Sequence, residues 1–124
     1  MNESNKIYDL EERTAVFGES VLKLVKQVKM GDYNKSIISQ LIRSATSVGA
    51  NYMEANGTES KKDFIHKISI CKKEAREVKY WLRMLVRVNS EVSDKARLIW
   101  QEAQELTLIF SKILISSKGN KKII

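Results

Sequence analysis

The stretch from Ser60 to Asn89, SKKDFIHKISICKKEAREVKYWLRMLVRVN, decides the fold. Its apolar side chains recur every three or four residues, the period of a helix that buries one face. This apolar line consists of Phe64, Ile68, Cys71, Ala75, Val78, Leu82 and Leu85. Ser60 precedes the pattern and Asp63 follows three residues later, a variant of the capping box. We therefore expect a long helix that begins after Ser60.

Two stretches before it show the same period. The first predicts a helix from about Leu10 to Met30, with Asp9 as its N-cap and Gly31 as the residue that ends it. The second predicts a helix from about Asn34 to Asn56 that stops at Gly57. Both helices carry an apolar stripe that needs a partner surface.

A fourth helix follows a short turn around Ser90, with Ser93 as its candidate cap. Its regular apolar stripe consists of Ala96, Ile99, Ala103, Leu106, Phe110 and Ile113. The end, from Ser117 to Ile124, has the composition of a loose basic tail. Four long amphipathic helices with short connections predict an all-α, antiparallel up-down-up-down four-helix bundle. We expect one domain over residues 1–124, with disordered ends at about 1–8 and 118–124.

Composition supports a soluble helical protein. The chain has no Pro, only 5 Gly, 43% hydrophobic residues and 30% charged residues. A lone cysteine, Cys71, cannot form an internal disulfide, and the first residues lack an apolar signal core. No apolar run is long enough to span a bilayer. We expect a cytoplasmic protein with no membrane partner.

Residues suited to catalysis are scarce. His66 is the single histidine, and it lies on the same predicted helix as Cys71, which belongs to the apolar line. The chain contains no Glu-x-x-His pair for a di-iron site and no glycine-rich phosphate loop. We expect no catalytic residue, no metal and no cofactor. An enzyme that uses Glu54 or Glu74 as a base stays open as an alternative, although no substrate suggests itself.

Positive charge is concentrated on the third helix. Nine of the thirty residues from Ser60 to Asn89 are Lys or Arg and three are acidic, so this segment carries 9 − 3 = +6 of the formal +7. Five of the nine form a basic ridge, spaced so that all lie within an arc of about 80°. The ridge consists of Lys72, Arg76, Lys79, Arg83 and Arg87.

Three interpretations of the basic ridge are open. It can contact nucleic-acid phosphates, with Tyr80 beside it as a base-stacking candidate. It can be an ordinary solvated face. Its charges can also pair across a subunit interface, because Glu74 and Glu77 occupy a neighbouring face. Nothing in the pattern indicates sequence-specific recognition.

A second group of residues suggests helix packing or subunit contact. The second helix carries small and polar side chains away from its apolar line, and the third carries Trp81, Met84 and Val88 away from its own. Apolar residues on two sides of a helix favour an oligomer. Our candidates for interface or packing roles are Arg43, Ser47, Asn51, Glu54 and Trp81.

The middle of the chain, from Gln40 to Leu85, resembles the four-helix bundle family named for 23S rRNA intervening-sequence proteins. The resemblance rests on three motifs. These motifs comprise Gln40, Leu41, Arg43, Ser47, Val48, Asn51 and Glu54; then Lys62, Asp63, Phe64 and Ile65; then Lys73, Glu74, Ala75, Glu77, Tyr80, Trp81 and Leu82. Tyr52, Met53, Cys71 and Lys72 depart from the usual pattern, and Lys72 extends the basic ridge.

This resemblance implies a bacterial, cytoplasmic four-helix bundle that assembles into a ring-like homopentamer without enzymatic activity or cofactor. It also implies an association with rRNA, and related accessory proteins of diversity-generating retroelements bind nucleic acid and a reverse transcriptase. We therefore expect a non-enzymatic homo-oligomer that binds structured RNA, ribosomal RNA above all, through the basic ridge. A protein-interaction scaffold, with a protein partner and no nucleic acid, is the alternative.

Overall fold

The computed structural model describes residues 9–123, and side chains up to Lys118; the predicted disordered end at residues 1–8 lies outside this range. Within it every regular element is helical, which confirms the all-α prediction. The helices are α1 Leu10–Lys26, α2 Lys35–Asn56, α3 Lys61–Val88 and α4 Ser93–Ile123, with a short 3₁₀ helix at Ser90–Val92 before α4.

The core is built from the apolar lines that the sequence predicts. Phe17 of α1, Leu41 of α2, Leu82 of α3 and Phe110 of α4 are each at least 98% buried. Half-buried side chains, Tyr52 and Ile113 among them, pack against this cluster. Burying a large apolar side chain contributes about 1.5–3 kcal/mol, so four such lines supply most of the driving force for the bundle.

The helices pack in cyclic order around the core, α1 against α2, α2 against α3, α3 against α4, and α4 against α1. Side-chain pairs place the start of one helix beside the end of its neighbour. Asn56 at the end of α2 donates to Glu11 of α1, and Lys95 of α4 donates to Gln27 just after α1. This is the arrangement of antiparallel neighbours in a four-helix bundle.

Two predicted N-caps are confirmed. Asp9 accepts a hydrogen bond from the Glu12 backbone N–H at 3.2 Å, and Ser60 accepts one from the Asp63 N–H at 3.0 Å. Each satisfies a backbone donor that the first helical turn leaves without a partner. The local sequence is enough here, because a capping bond joins residues only three positions apart.

Helix α1 ends at Lys26, not at Met30 as the sequence predicted. Val28 continues the apolar spacing and is buried, but it reaches the core from a non-helical segment. Asn34 organises that segment: its side-chain amide donates to the Lys29 carbonyl and accepts from the Gly31 N–H at 2.8 Å. These bonds compete with another helical turn, so Gly31 is not the residue that ends α1.

The start and end of α4 also differ from the prediction. Ser93 is already helical, and its hydroxyl donates to the Ser90 carbonyl at 2.7 Å instead of capping the helix. The 3₁₀ turn before it carries the chain into α4. At the other end α4 continues to Ile123, where the sequence predicted a loose tail from Ser117. Because no Pro interrupts this segment, its backbone can keep helical hydrogen bonds.

Candidate nucleic-acid interface

The basic ridge lies along α3 and splits into an outer part and an inner part. Arg76, Arg83 and Arg87 are exposed to solvent. Lys72 and Lys79 are half-buried and lie on the side of α3 that faces α4. In the described part of the chain, none of the five forms an ion pair with a carboxylate. No charge of the ridge is therefore neutralised by a salt bridge within the described residues.

Lys79 ties the ridge to α4. Its ammonium donates to the Gln104 side-chain oxygen, and its Nζ lies 5.2 Å from the centroid of the Trp100 ring. A cation over an indole face is held by the ring quadrupole, an attraction of about 0.5–1 kcal/mol at an exposed site. These two contacts hold Lys79 at the α3–α4 seam.

The acidic residues near the ridge are already paired within the chain. Arg43 of α2 places Nη1 3.0 Å from Glu74 Oε2 and Nη2 2.7 Å from Glu77 Oε1. Ser47 donates to Glu74, and the Trp81 indole N–H donates to Glu77 at 3.0 Å. The carboxylates that were candidates for pairing with the ridge across a subunit interface are thus occupied by α2.

This network perturbs the ionisation of its members. Burial, the largest effect, acts to raise the pKa of Glu77, but hydrogen bonds from Trp81 and Arg43 outweigh it and hold the pKa below the ordinary value of 4.5. The hydrogen bond to Glu74, and after it the bond to Glu77, raises the pKa of Arg43. Glu74 itself is only 6% exposed, and its Oε1 has no hydrogen-bond partner among the described residues.

The residues proposed for interface or packing roles lie together at the α2–α3 seam. Asn51 donates to the carbonyl and hydroxyl oxygens of Ser47, which in turn reaches the Arg43 network. Glu54 pairs with Lys67 at 2.6 Å. All of these are contacts between α2 and α3 or within α2.

A second arginine forms salt bridges with carboxylates of α4. Arg13 of α1 places Nε 2.7 Å from Glu102 and Nη2 3.0 Å from Glu105, both on α4. The bond to Glu102 is the main cause that raises the pKa of Arg13. Arg13 and Arg43 thus each bind two carboxylates, whereas the five cations of the ridge bind none in the described part of the chain.

Two clefts open along the α3–α4 seam beside the ridge. The first, of about 550 Å³, is lined by Ser69, Lys72, Lys73, Arg76, Glu77 and Leu114. The second, of about 350 Å³, is lined by Leu82, Arg83, Val86, Ser93, Ala96, Arg97 and Trp100. Cations of the ridge line both clefts, and the carboxylate of Glu77 lines the first cleft as well.

Sequence reasoning missed Arg97 and Trp100. They follow one another at helical spacing with Gln104 on α4, at i, i+3 and i+7, and that spacing places the three on one face. This signal was available, but nothing in the sequence joined that face to the ridge. Tyr80, the predicted stacking residue, is 54% exposed and packs edge-on against Trp81, with 4.9 Å between centroids.

Cys71 and His66, which the sequence analysis weighed for chemistry, differ in exposure. Cys71 is fully buried, burial raises its pKa to about 12, and its thiol lies 3.5 Å from the Val48 carbonyl. His66 is exposed on the same helix. Among residues 9–123 no group of His, Cys, Asp and Glu has the arrangement of a metal site. No helix described there combines the length and apolar character needed to cross a bilayer.

Comparisons with known proteins identify the family and support the helical fold. The model of the family described as 23S rRNA-intervening sequence protein matches residues 6–112. The chain belongs to this family. A crystal structure from Bacteroides thetaiotaomicron, described as a protein of unknown function from the S23 ribosomal protein family, is 30% identical. It superposes with a TM-score of 0.73, over 84% of this chain and 96% of the other. No curated protein matches the chain.

Proposed function

We propose that this member of the 23S rRNA-intervening sequence family is a non-enzymatic bundle that binds structured RNA, with ribosomal RNA as the first candidate. The observation that carries the proposal is the unneutralised ridge on α3. Its five cations have no carboxylate partner in the described structure, whereas Arg13 and Arg43 are both paired. Guanidinium groups that are free in this way suit bidentate contacts to phosphate.

The proposal has a quantitative consequence for salt. Five phosphate contacts release about 0.7–0.9 counterions each, so log affinity should fall with log salt concentration with a slope of about −3.5 to −4.5 per chain. Each doubling of salt then weakens binding by about 10- to 20-fold. A slope of this size would distinguish a phosphate-binding surface from an ordinary solvated face.

We further propose that the chain works in the cytoplasm as a homo-oligomer, with the pentamer as the specific expectation. Exposed apolar side chains support an assembly: Leu108 is 52% exposed and Ile115 70% exposed on α4. Repetition of the ridge in each subunit would let modest contacts add by multivalency. Light scattering of the purified protein measures the subunit number directly.

The experiment is fluorescence anisotropy with a labelled rRNA fragment and an unrelated structured RNA, across a salt series. The test variant carries Arg76→Glu, Arg83→Glu and Arg87→Glu. The matched control reverses three exposed lysines elsewhere, at Lys23, Lys29 and Lys35. Both variants lose six units of charge from the formal +7, leaving +1 each, so they differ in the position of the charge and not in its amount.

We expect the test variant to lose most of its RNA affinity and the control to keep most of it, with both melting near the parent protein. Equal loss in both variants would show that net charge alone attracts RNA. Unchanged affinity in the test variant, or no binding by the parent protein at low salt, would refute the proposal. Tighter binding to the rRNA fragment would identify the class of RNA.

A protein-interaction scaffold is the second candidate, and a groove between α1 and α2 favours it. The groove has a volume of about 310 Å³ and is lined mostly by small and apolar residues, including Ala15, Gly18, Gly49, Ala50 and Met53. Gly18 and Gly49 face the neighbouring helix of the same chain. Ala15, Ala50 and Met53 are exposed and offer an apolar contact surface to a partner. Binding through this groove should be nearly independent of salt, which separates it from binding through the ridge.

A further inference from the structure

The cleft at the α3–α4 seam near Trp100 combines three features of a nucleotide site. Its floor is apolar, built from Leu82, Val86 and Ala96. Its rim carries the guanidinium groups of Arg83 and Arg97 and the indole of Trp100. Its volume of about 350 Å³ lies at the lower end of the roughly 300–1,000 Å³ of small-ligand pockets. A single flat ring suits this space better than a helix or a strand.

The two tryptophans of the chain are placed differently. Trp81 is half-buried, packs against the core and donates its indole N–H to Glu77. Trp100 is 41% exposed, and its N–H has no acceptor among the residues that the structure describes. An exposed indole offers a face for stacking, and base–aromatic stacking tolerates any base because every base has a π-face.

The charges around Trp100 are of one sign. Lys79 lies over the ring, and Arg83 and Arg97 line the cleft, while no carboxylate lines it. Neither arginine forms an ion pair in the described part of the chain. A ligand for this cleft therefore carries a flat ring and negative charge on the same small unit, and a nucleotide has this chemistry.

We propose that the Trp100 cleft binds an unpaired nucleotide of an RNA, with the base stacked on the indole and the flanking phosphates on Arg83 and Arg97. The base would occupy the ring face opposite Lys79. A base inside a duplex is already stacked between its neighbours, so the cleft selects loops, bulges and ends. This inference rests on the proposed RNA binding and adds what that proposal leaves out, namely the kind of nucleotide recognised.

The experiment uses the fluorescence of Trp100 in a Trp81→Phe background, where it is the single tryptophan. The probes are an RNA hairpin with an unpaired loop and a fully paired RNA duplex of equal nucleotide number. We expect the hairpin to quench Trp100 and the duplex to leave it unchanged at equal occupancy, which anisotropy measures in parallel.

Substitution at Trp100 supplies the second arm. Trp100→Ala should weaken binding of the hairpin by about 5- to 150-fold per stacked base, and should weaken duplex binding by clearly less. Trp100→Phe keeps a π-face and should restore much of the affinity, whereas Trp100→Leu keeps apolar bulk without a π-face and should not. Melting temperatures of all three variants identify any loss that comes from unfolding.

The outcomes separate this inference from the proposed function. Equal affinity for hairpin and duplex, both unaffected by Trp100→Ala, overturns the cleft while ridge binding stands. Failure of both RNAs to bind at low salt overturns both the nucleotide cleft and the proposed RNA binding. Quenching by poly-glutamate as strong as that by the hairpin would show an acidic-protein surface and would also overturn the nucleotide site.

Discussion

Replacing Arg43 with methionine tests the salt bridges that join α2 to α3. These salt bridges also pair the two acidic residues beside the ridge. The substitution removes the bonds to Glu74 at 3.0 Å and to Glu77 at 2.7 Å. Glu74 is 6% exposed and one of its oxygens already lacks a partner, so its charge would be left with Ser47 alone. We expect the variant to fold but to be less stable.

The size of the effect follows from burial. Breaking a fully buried ion pair costs about 3–5 kcal/mol, but the Arg43 side chain is 46% exposed and solvent screens its charge. We therefore expect a loss of about 1–3 kcal/mol in the free energy of unfolding. At about 2.1 cal/mol/K per residue, a chain of 124 residues loses about 4 °C of melting temperature per kcal/mol. The expected decrease is about 4–12 °C.

The assay is thermal unfolding followed by circular dichroism, with the double variant Arg43→Met/Glu74→Leu as the comparison. Replacement of both partners removes the stranded charge, so the double variant should be more stable than Arg43→Met alone. Melting of Arg43→Met within about 2 °C of the parent protein would refute the argument. A double variant no better than the single one would do the same.

The difference in stability between the parent protein and Arg43→Met should depend on pH. The pKa of Glu77 is lowered in the folded chain below its ordinary 4.5, so its ionised form stabilises the fold above that value. This contribution is lost as the pH falls through the folded-state pKa. The difference in stability between the parent protein and Arg43→Met should accordingly shrink below about pH 4.5.

Two further predictions concern the core. Phe110→Ala should cost about 3–5 kcal/mol in unfolding free energy because the ring is fully buried, whereas Leu98→Ala on the exposed side of the same helix should cost less than about 1 kcal/mol. Chemical denaturation measures both losses, and losses of similar size would contradict the core assignment. Cys71 should resist thiol reagents at pH 8, because its pKa is about 12 and its side chain is buried; labelling of the native protein faster than unfolding would contradict this.

The ridge and the Trp100 cleft differ in how far sequence could reveal them. Lys72, Arg76, Lys79, Arg83 and Arg87 share one face because helical periodicity alone places them there. That these five cations have no carboxylate partner could not be predicted from the sequence. It depends on Arg43, which comes from another helix and occupies the nearby acids.

The amino-acid sequence by itself determined the helices, their buried faces and two of their caps, because these depend on residues three or four positions apart. Only the tertiary structure decided which charges are neutralised and which side chains share a cleft. The end of α1 belongs to this second class, since Asn34 bonds to the loop and also to Asn89, 55 residues away. Arg97 and Trp100 belong there too, because α4 meets the ridge only when the bundle is packed.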